Sequence, residues 1–211
     1  MKVFISLLIV LLFFSACNTK EEENSTPVTK TPALDSSAMA RPERTVNPYV
    51  LVDISPMDMS YYPVDYPKLK MTNSTIAPPN ARVVYSRPHL QRRSVFKDVL
   101  KYGEPWRLGA NEATELDLYT DATIQGKKIK AGRYILYCIP EKDNWTIILN
   151  SNIDSWGLHP DESKDIARLV VPSKQTNNSI EFFTMAFEKT NGVIELVMAW
   201  DNVEARLPFI F

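Results

Sequence analysis

From Ala81 to its end the chain is a succession of short runs rich in β-branched and aromatic residues, each closed by a turn signal. That pattern dictates strands. The runs are ARVVYS (81–86), TELDLYT (114–120), RYILYCI (133–139), WTIILN (145–150), ARLVV (167–171), IEFFTMAFE (180–188), VIELVMAW (193–200) and VEARLPFIF (203–211). Within ELDLY, Leu116 and Leu118 share one strand face while Glu115 and Asp117 share the other, the two-residue period of a half-buried strand. DNW (143–145) and TNGV (190–193) supply tight turns, the second through the Asn-Gly pair that suits a hairpin. Strands of this number and spacing point to an all-β domain, a single β-sandwich of jelly-roll-like form. One short helix fits RSVFKDVL (93–100), where Val95, Phe96 and Val99 share a side.

Ahead of the strands the composition changes twice. The opening MKVFISLLIVLLFFSAC has Lys2 before an apolar run from Val3 to Phe14 and small residues at Ser15 and Ala16. The run is too short to span a bilayer, so residues 1–16 read as a secretory signal peptide. The ending FSAC also resembles a lipobox, with Phe14 where Leu is more usual. Cleavage before Cys17 and acylation of its sulfur would anchor the mature chain, each buried methylene contributing about 0.8 kcal/mol. The plainer alternative is a secreted protein cut after Ala16. Residues 17–47 are polar, Pro-containing and without apolar periodicity, a flexible tether. Within it KEEE (20–23) resembles the acidic export tag of some surface lipoproteins, or is simply a solvated linker. The all-β domain then occupies 48–211, long enough to bury about 70% of its unfolded surface in one core. The expected location is the envelope of a Gram-negative bacterium, on the outer membrane, with the side it faces left open.

Only two cysteines occur. With Cys17 lipidated, Cys138 stands alone on a strand, which leaves no disulfide and no multi-cysteine metal site. Lys and Arg number 24 against 25 acidic residues, a net charge of −1. A nucleic-acid partner would need a basic excess, so none is expected. The chain has no Gly-x-Ser-x-Gly elbow, phosphate-cradling glycine loop or His-Glu-x-x-His helix. His89 and His159 lie in loops without a second histidine beside them, so no metal or cofactor is expected. Glu112 with Glu115, and Glu115 with Asp117, have the spacing of a glycosidase acid/base pair or of a solvated strand face. Trp156 beside Gly157 is either a sugar platform or a loop seal.

The densest chemistry is YGEPWRLGANEATEL (102–116), which holds Gly103 and Gly109, two of only 6 glycines. As a site, it offers the Arg107 fork for a carboxylate, phosphate or sugar hydroxyl, the stacking faces of Trp106 and Tyr102, and polar atoms on Asn111 and Glu112. Arg87 and Arg93 would join if the loops converge. As scaffold, the glycines permit unusual backbone, Trp106 plugs the core, and Arg107 pairs with Glu112 to satisfy buried carbonyls. Both readings stand at this point.

Five runs, VVYSRP, RRSVF, YGEPWRLGANEATEL, GKKIKAGRYILYCIP with a following Trp, and AWDNVEARLPF, resemble in order and spacing the bacterial domain of unknown function 2911. The likeness extends from about Ser55 to the end. It departs from the family pattern at Arg92, Arg93 and Lys97, where a Gly-Arg pair and a Gly after the Phe of the helix region are expected. The resemblance implies an exported, often lipid-anchored, all-β protein with no assigned activity. The expected function is a non-enzymatic envelope module binding a polar ligand, a glycan, sugar acid or partner protein, through Arg107, Asn111 and Glu112 with Trp106 and Arg87 in support. The alternatives are a glycan hydrolase working through Glu112 and a second carboxylate, and a structural partner of another envelope protein.

Overall fold

The computed structural model describes residues 54–211. The expected leader (1–16), the expected lipidation site Cys17 and the expected tether (17–47) lie outside the described residues. The chain runs β1 (Met57–Tyr62), α1 (Tyr66–Thr72), β2 (Ala81–Ser86), a π-helical turn (Val95–Val99), β3 (Thr114–Leu118), β4 (Ala122–Ile124), β5 (Lys127–Ile129), β6 (Gly132–Pro140), β7 (Asn144–Asn150), β8 (Asp165–Thr190) and β9 (Val193–Phe209). The fold is all-β, as the alternating runs require.

One sheet of order β1-β2-β3-β6-β7-β8-β9 carries the fold, and β4-β5 forms a separate ribbon between β3 and β6. Every pair is antiparallel and sheet neighbours follow each other in the chain, so the connectivity is a meander. Register keeps one face inward: Leu116 lies opposite Val83 on β2 and Tyr134 on β6, and Leu116 and Val83 are wholly buried.

Both layers of the core come from this single sheet because β8 bends. Its first part pairs with β7 as far as Pro172, and from Ser173 onward it pairs with β9, with register shifts on either side of Ile180. Such irregularities curve a strand. The far half of β8 thereby returns over the first strands, where Phe187 N donates to Ser60 Oγ of β1 at 3.0 Å and Phe183 N donates to Pro88 O at 2.9 Å. Between the layers Trp106, Trp145, Phe183 and Trp200 form one aromatic cluster, and Tyr62, Phe187, Phe209 and Phe211 form another.

The runs 167–171 and 180–188 prove to be one strand, as do 193–200 and the 203–209 part of the last run. The intervening TNNS (176–179) and Asp201-Asn202 look like loops in sequence, yet they are absorbed as irregularities, with Asp201 at φ 53°. The helix expected over 93–100 is a single π-helical turn, whose Ser94 N–H is satisfied by the Asp98 carboxylate at 2.7 Å. The regular helix is α1, which buries no residue and so shows no apolar stripe to betray it. Cys138 on β6 is fully buried and unpaired, and burial pushes its thiol pKa well up, as suits a small core residue.

Candidate functional site

The segment 102–113 crosses one end of the curled sheet, and alternate residues divide its work. Trp106 is scaffold. Its N–H donates to Cys138 O at 2.7 Å and its carbonyl accepts from Cys138 N at 2.8 Å, which stitches the segment to β6. Its indole Nε1 donates to Gly109 O at 3.1 Å, and the ring stacks on Trp200 and meets Phe183 and Trp145 edge-on. Leu108 is wholly buried at φ 54°, a left-handed conformation that a leucine adopts at a cost. The buried Thr114 Oγ1 supports it by donating to Leu108 O at 2.7 Å. Gly109 packs closely, because a Cβ there would lie 3.1 Å from Ser86 O and 3.3 Å from Thr114 Oγ1 and would press both aside.

Arg107, between these two buried residues, emerges half-buried on the other side. Its Nη1 donates to Asn111 O at 2.6 Å. Among the described residues no carboxylate lies within ion-pair distance of it, and burial pushes its pKa down. It lines a cleft of about 340 Å³ whose wall includes Arg93, Trp106, Leu158 and Trp200. Among the described residues no Asp, Glu, Asn or Gln side chain belongs to that wall.

The candidate residues thus part company. Arg93 joins Arg107 in the wall, whereas Arg87 does not. The Arg87 guanidinium instead clamps β1 and β2 to β8, donating to Phe183 O at 3.2 Å, Thr184 Oγ1 at 3.1 Å and Asp58 Oδ2 at 3.1 Å while lying over the Phe182 ring. Asn111 contributes its main-chain oxygen and a left-handed φ of 62°. Glu112 is exposed, and the ion pair with Arg107 is not formed. Nor do the paired carboxylates make an acid/base pair. Asp117 is held by Arg82 and Arg133, and Arg133 also pairs with Glu115. They form a charge ladder along β3, with Asp117 buried rather than solvated.

Sequence reasoning missed Gly157 and Leu158. The loop after β7 brings them to the cleft, and the Gly157 backbone sits so close that a Cβ would lie 3.0 Å from the Cβ atoms of Arg107 and Ala113. The seal is therefore Gly157, while its neighbour Trp156 is 58% exposed. Only the adjacent Trp-Gly pair hinted at this. His159 is exposed, and no group of three or more His, Cys, Asp or Glu able to hold a metal exists among the described residues.

A second cleft, of about 310 Å³, is walled by Lys174, Glu195, Glu204 and Arg206. Arg206 binds Glu188, Glu195 and Glu204 there, and Lys174 binds Glu204, so these charges satisfy one another. The Arg107 cleft differs in having cations without carboxylates among the described residues.

A family model described as a protein of unknown function, DUF2911, matches residues 67–209, from the first turn of α1 to the end of β9. The chain belongs to the DUF2911 family. The matched stretch contains the whole 102–116 segment and the 157–158 loop, so the cleft is built almost entirely from DUF2911 sequence. No curated protein and no solved structure matches the chain.

Proposed function

We propose that this DUF2911 chain is a non-enzymatic binding module of the cell envelope, tethered to the membrane through an acylated Cys17, which holds a polar, negatively charged ligand in the Arg107 cleft. The observation that carries this reading is the half-buried Arg107 guanidinium, neutralised by no carboxylate among the described residues and met by a single main-chain carbonyl. Desolvating a cation without a counter-charge is costly, and an anionic ligand relieves that cost while gaining charge-assisted hydrogen bonds. Trp106, Gly109 and Thr114 hold the segment rigid beneath Arg107, which reduces what binding must spend on ordering. Of the ligand kinds expected from the sequence, the acidic ones, a sugar acid or an acidic group on an envelope partner, match this chemistry best. Hydrolysis through Glu112 has less support, since neither Glu112 nor another carboxylate lines the cleft among the described residues.

The test is a thermal-denaturation screen of the purified protein by intrinsic tryptophan fluorescence, against sugar acids, neutral sugars, nucleotides, phosphates and metal ions. Acids should raise Tm in the wild type and not in Arg107→Ala. If neutral sugars shift the two proteins equally and acids shift neither, the reading fails.

A further inference from the structure

The hydrogen-bonding groups of the cleft narrow the kind of acid it suits, an inference that rests on the binding reading above. Arg107 spends Nη1 on Asn111 O, so its Nε and Nη2 have no partner among the described residues. That edge carries two parallel N–H bonds spaced for the two oxygens of an oxyanion. Arg93 is used the opposite way: Nε donates to Leu90 O at 2.9 Å and Nη2 to His89 O at 2.9 Å, which occupies its Nε/Nη2 edge and leaves the N–H groups of Nη1 and the second one of Nη2 as further donors. The side chains thus offer the Arg107 fork and further N–H donors from Arg93, and no carboxylate or amide oxygen among the described residues.

The larger side chains of the rest of the wall are apolar. Val99, Leu100, Pro105 and Leu158 line it with the indoles of Trp106 and Trp200, and the two indoles are stacked on each other and buried, so they present edges rather than faces. A sugar ring brings several hydroxyl donors, and each one buried without an acceptor is penalised. Apart from main-chain groups, the polar side chains of this wall among the described residues are Ser55 and the two arginines, and arginine accepts nothing. Apolar surface with a few converging donors is instead the pattern of a site for a small organic molecule, and about 340 Å³ lies near the small end of such pockets.

We infer that the ligand of the Arg107 cleft is a small amphiphilic acid: an oxyanion, carboxylate or phosphate monoester, seated on the Nε/Nη2 edge of Arg107, with an apolar body against Val99, Leu100, Pro105 and Leu158. Hydroxyl-rich sugar acids share the anion but lack the body.

Titration calorimetry on the chain expressed without its leader and with Cys17→Ser, so that no detergent competes for the probe, tests this with octanoate, octyl phosphate, 1-octanol and glucuronate. Octanoate or octyl phosphate should bind at least tenfold more tightly than 1-octanol and glucuronate. Arg107→Gln should cost that binding at least tenfold with Tm nearly unchanged. The tighter of the two octyl acids names the head group. Glucuronate binding as tightly as the octyl acids, and lost in Arg107→Gln, overturns the amphiphile and leaves the anion-binding reading standing. If 1-octanol binds as well as the acids, or no probe binds at all, both fall.

Discussion

Arg107 donates Nη1 to the main-chain oxygen of Asn111 at 2.6 Å, bridging a turn in which Leu108 and Asn111 both adopt left-handed backbone. One edge of the guanidinium is thus a strut, and the other has no partner among the described residues. Loss of the strut alone removes one hydrogen bond, worth about 1 kcal/mol. Arg107→Ala should therefore lower stability by about that much, read from urea denaturation, while abolishing any ligand-induced rise in Tm. A loss above about 3 kcal/mol would make Arg107 scaffold instead.

Gly157 should tolerate no side chain. At φ +84° with Arg107 and Ala113 Cβ atoms 3.0 Å from the missing Cβ, alanine incurs both left-handed strain and overpacking, about 2 kcal/mol or more together. Gly192 is the control: it has φ +85° but open space around the Cβ position, so Gly192→Ala should cost about 1 kcal/mol from backbone strain alone. Equal losses in the two variants would show that the loop does not press on Arg107 as described.

Arg87 should behave in the opposite way to Arg107. Its three hydrogen bonds join β1, β2 and β8, and removing the side chain strands the Phe183 carbonyl, so Arg87→Ala should cost about 2–3 kcal/mol in chemical denaturation. Arg87→Lys should recover little of this, because an ammonium has no planar fork to span those acceptors. Ligand affinity of the folded fraction should be unchanged in both. A tenfold loss of affinity in Arg87→Lys would return this residue to the site.

Acid should weaken the fold through Glu204. Hydrogen bonds first from Arg206 and then from Lys174 hold its carboxyl below the ordinary value of 4.5. A carboxyl depressed in the folded state stabilises fully above its unfolded value, and this contribution is lost as pH falls from about 4.5 through the lower folded value. Tm should therefore drop on acidification across that window. Glu204→Gln should flatten that part of the profile while being less stable at neutral pH, and an unaltered acid limb in this variant would contradict the assignment.

Local chemistry carried most of the fold into view. Strand ARVVYS is β2 to the residue, and WTIILN and RYILYCI are β7 and β6 to within a residue or two at each end, because an alternating buried face and β-branched residues are written into the strands themselves. Elements without that imprint stayed hidden: α1 buries nothing, and β4 and β5 are three residues each. The turn signals at 176–179 and 201–202 pointed to loops, since a bulge and a turn favour the same residues.

The importance of 102–116 was legible too, in its glycines and its concentration of Trp, Arg, Asn and Glu. Its division of labour was not. Whether an arginine serves as a clamp or is left without a carboxylate depends on what lies across from it. Arg87 meets Asp58, Phe183 and Thr184 only because β8 bends back over β1, and Arg107 meets Gly157 only because the loop after β7 returns to the same end. Those partners lie roughly 30 to 100 positions away along the chain, beyond the reach of any local periodicity, and close packing of the curled sheet is what brings them together.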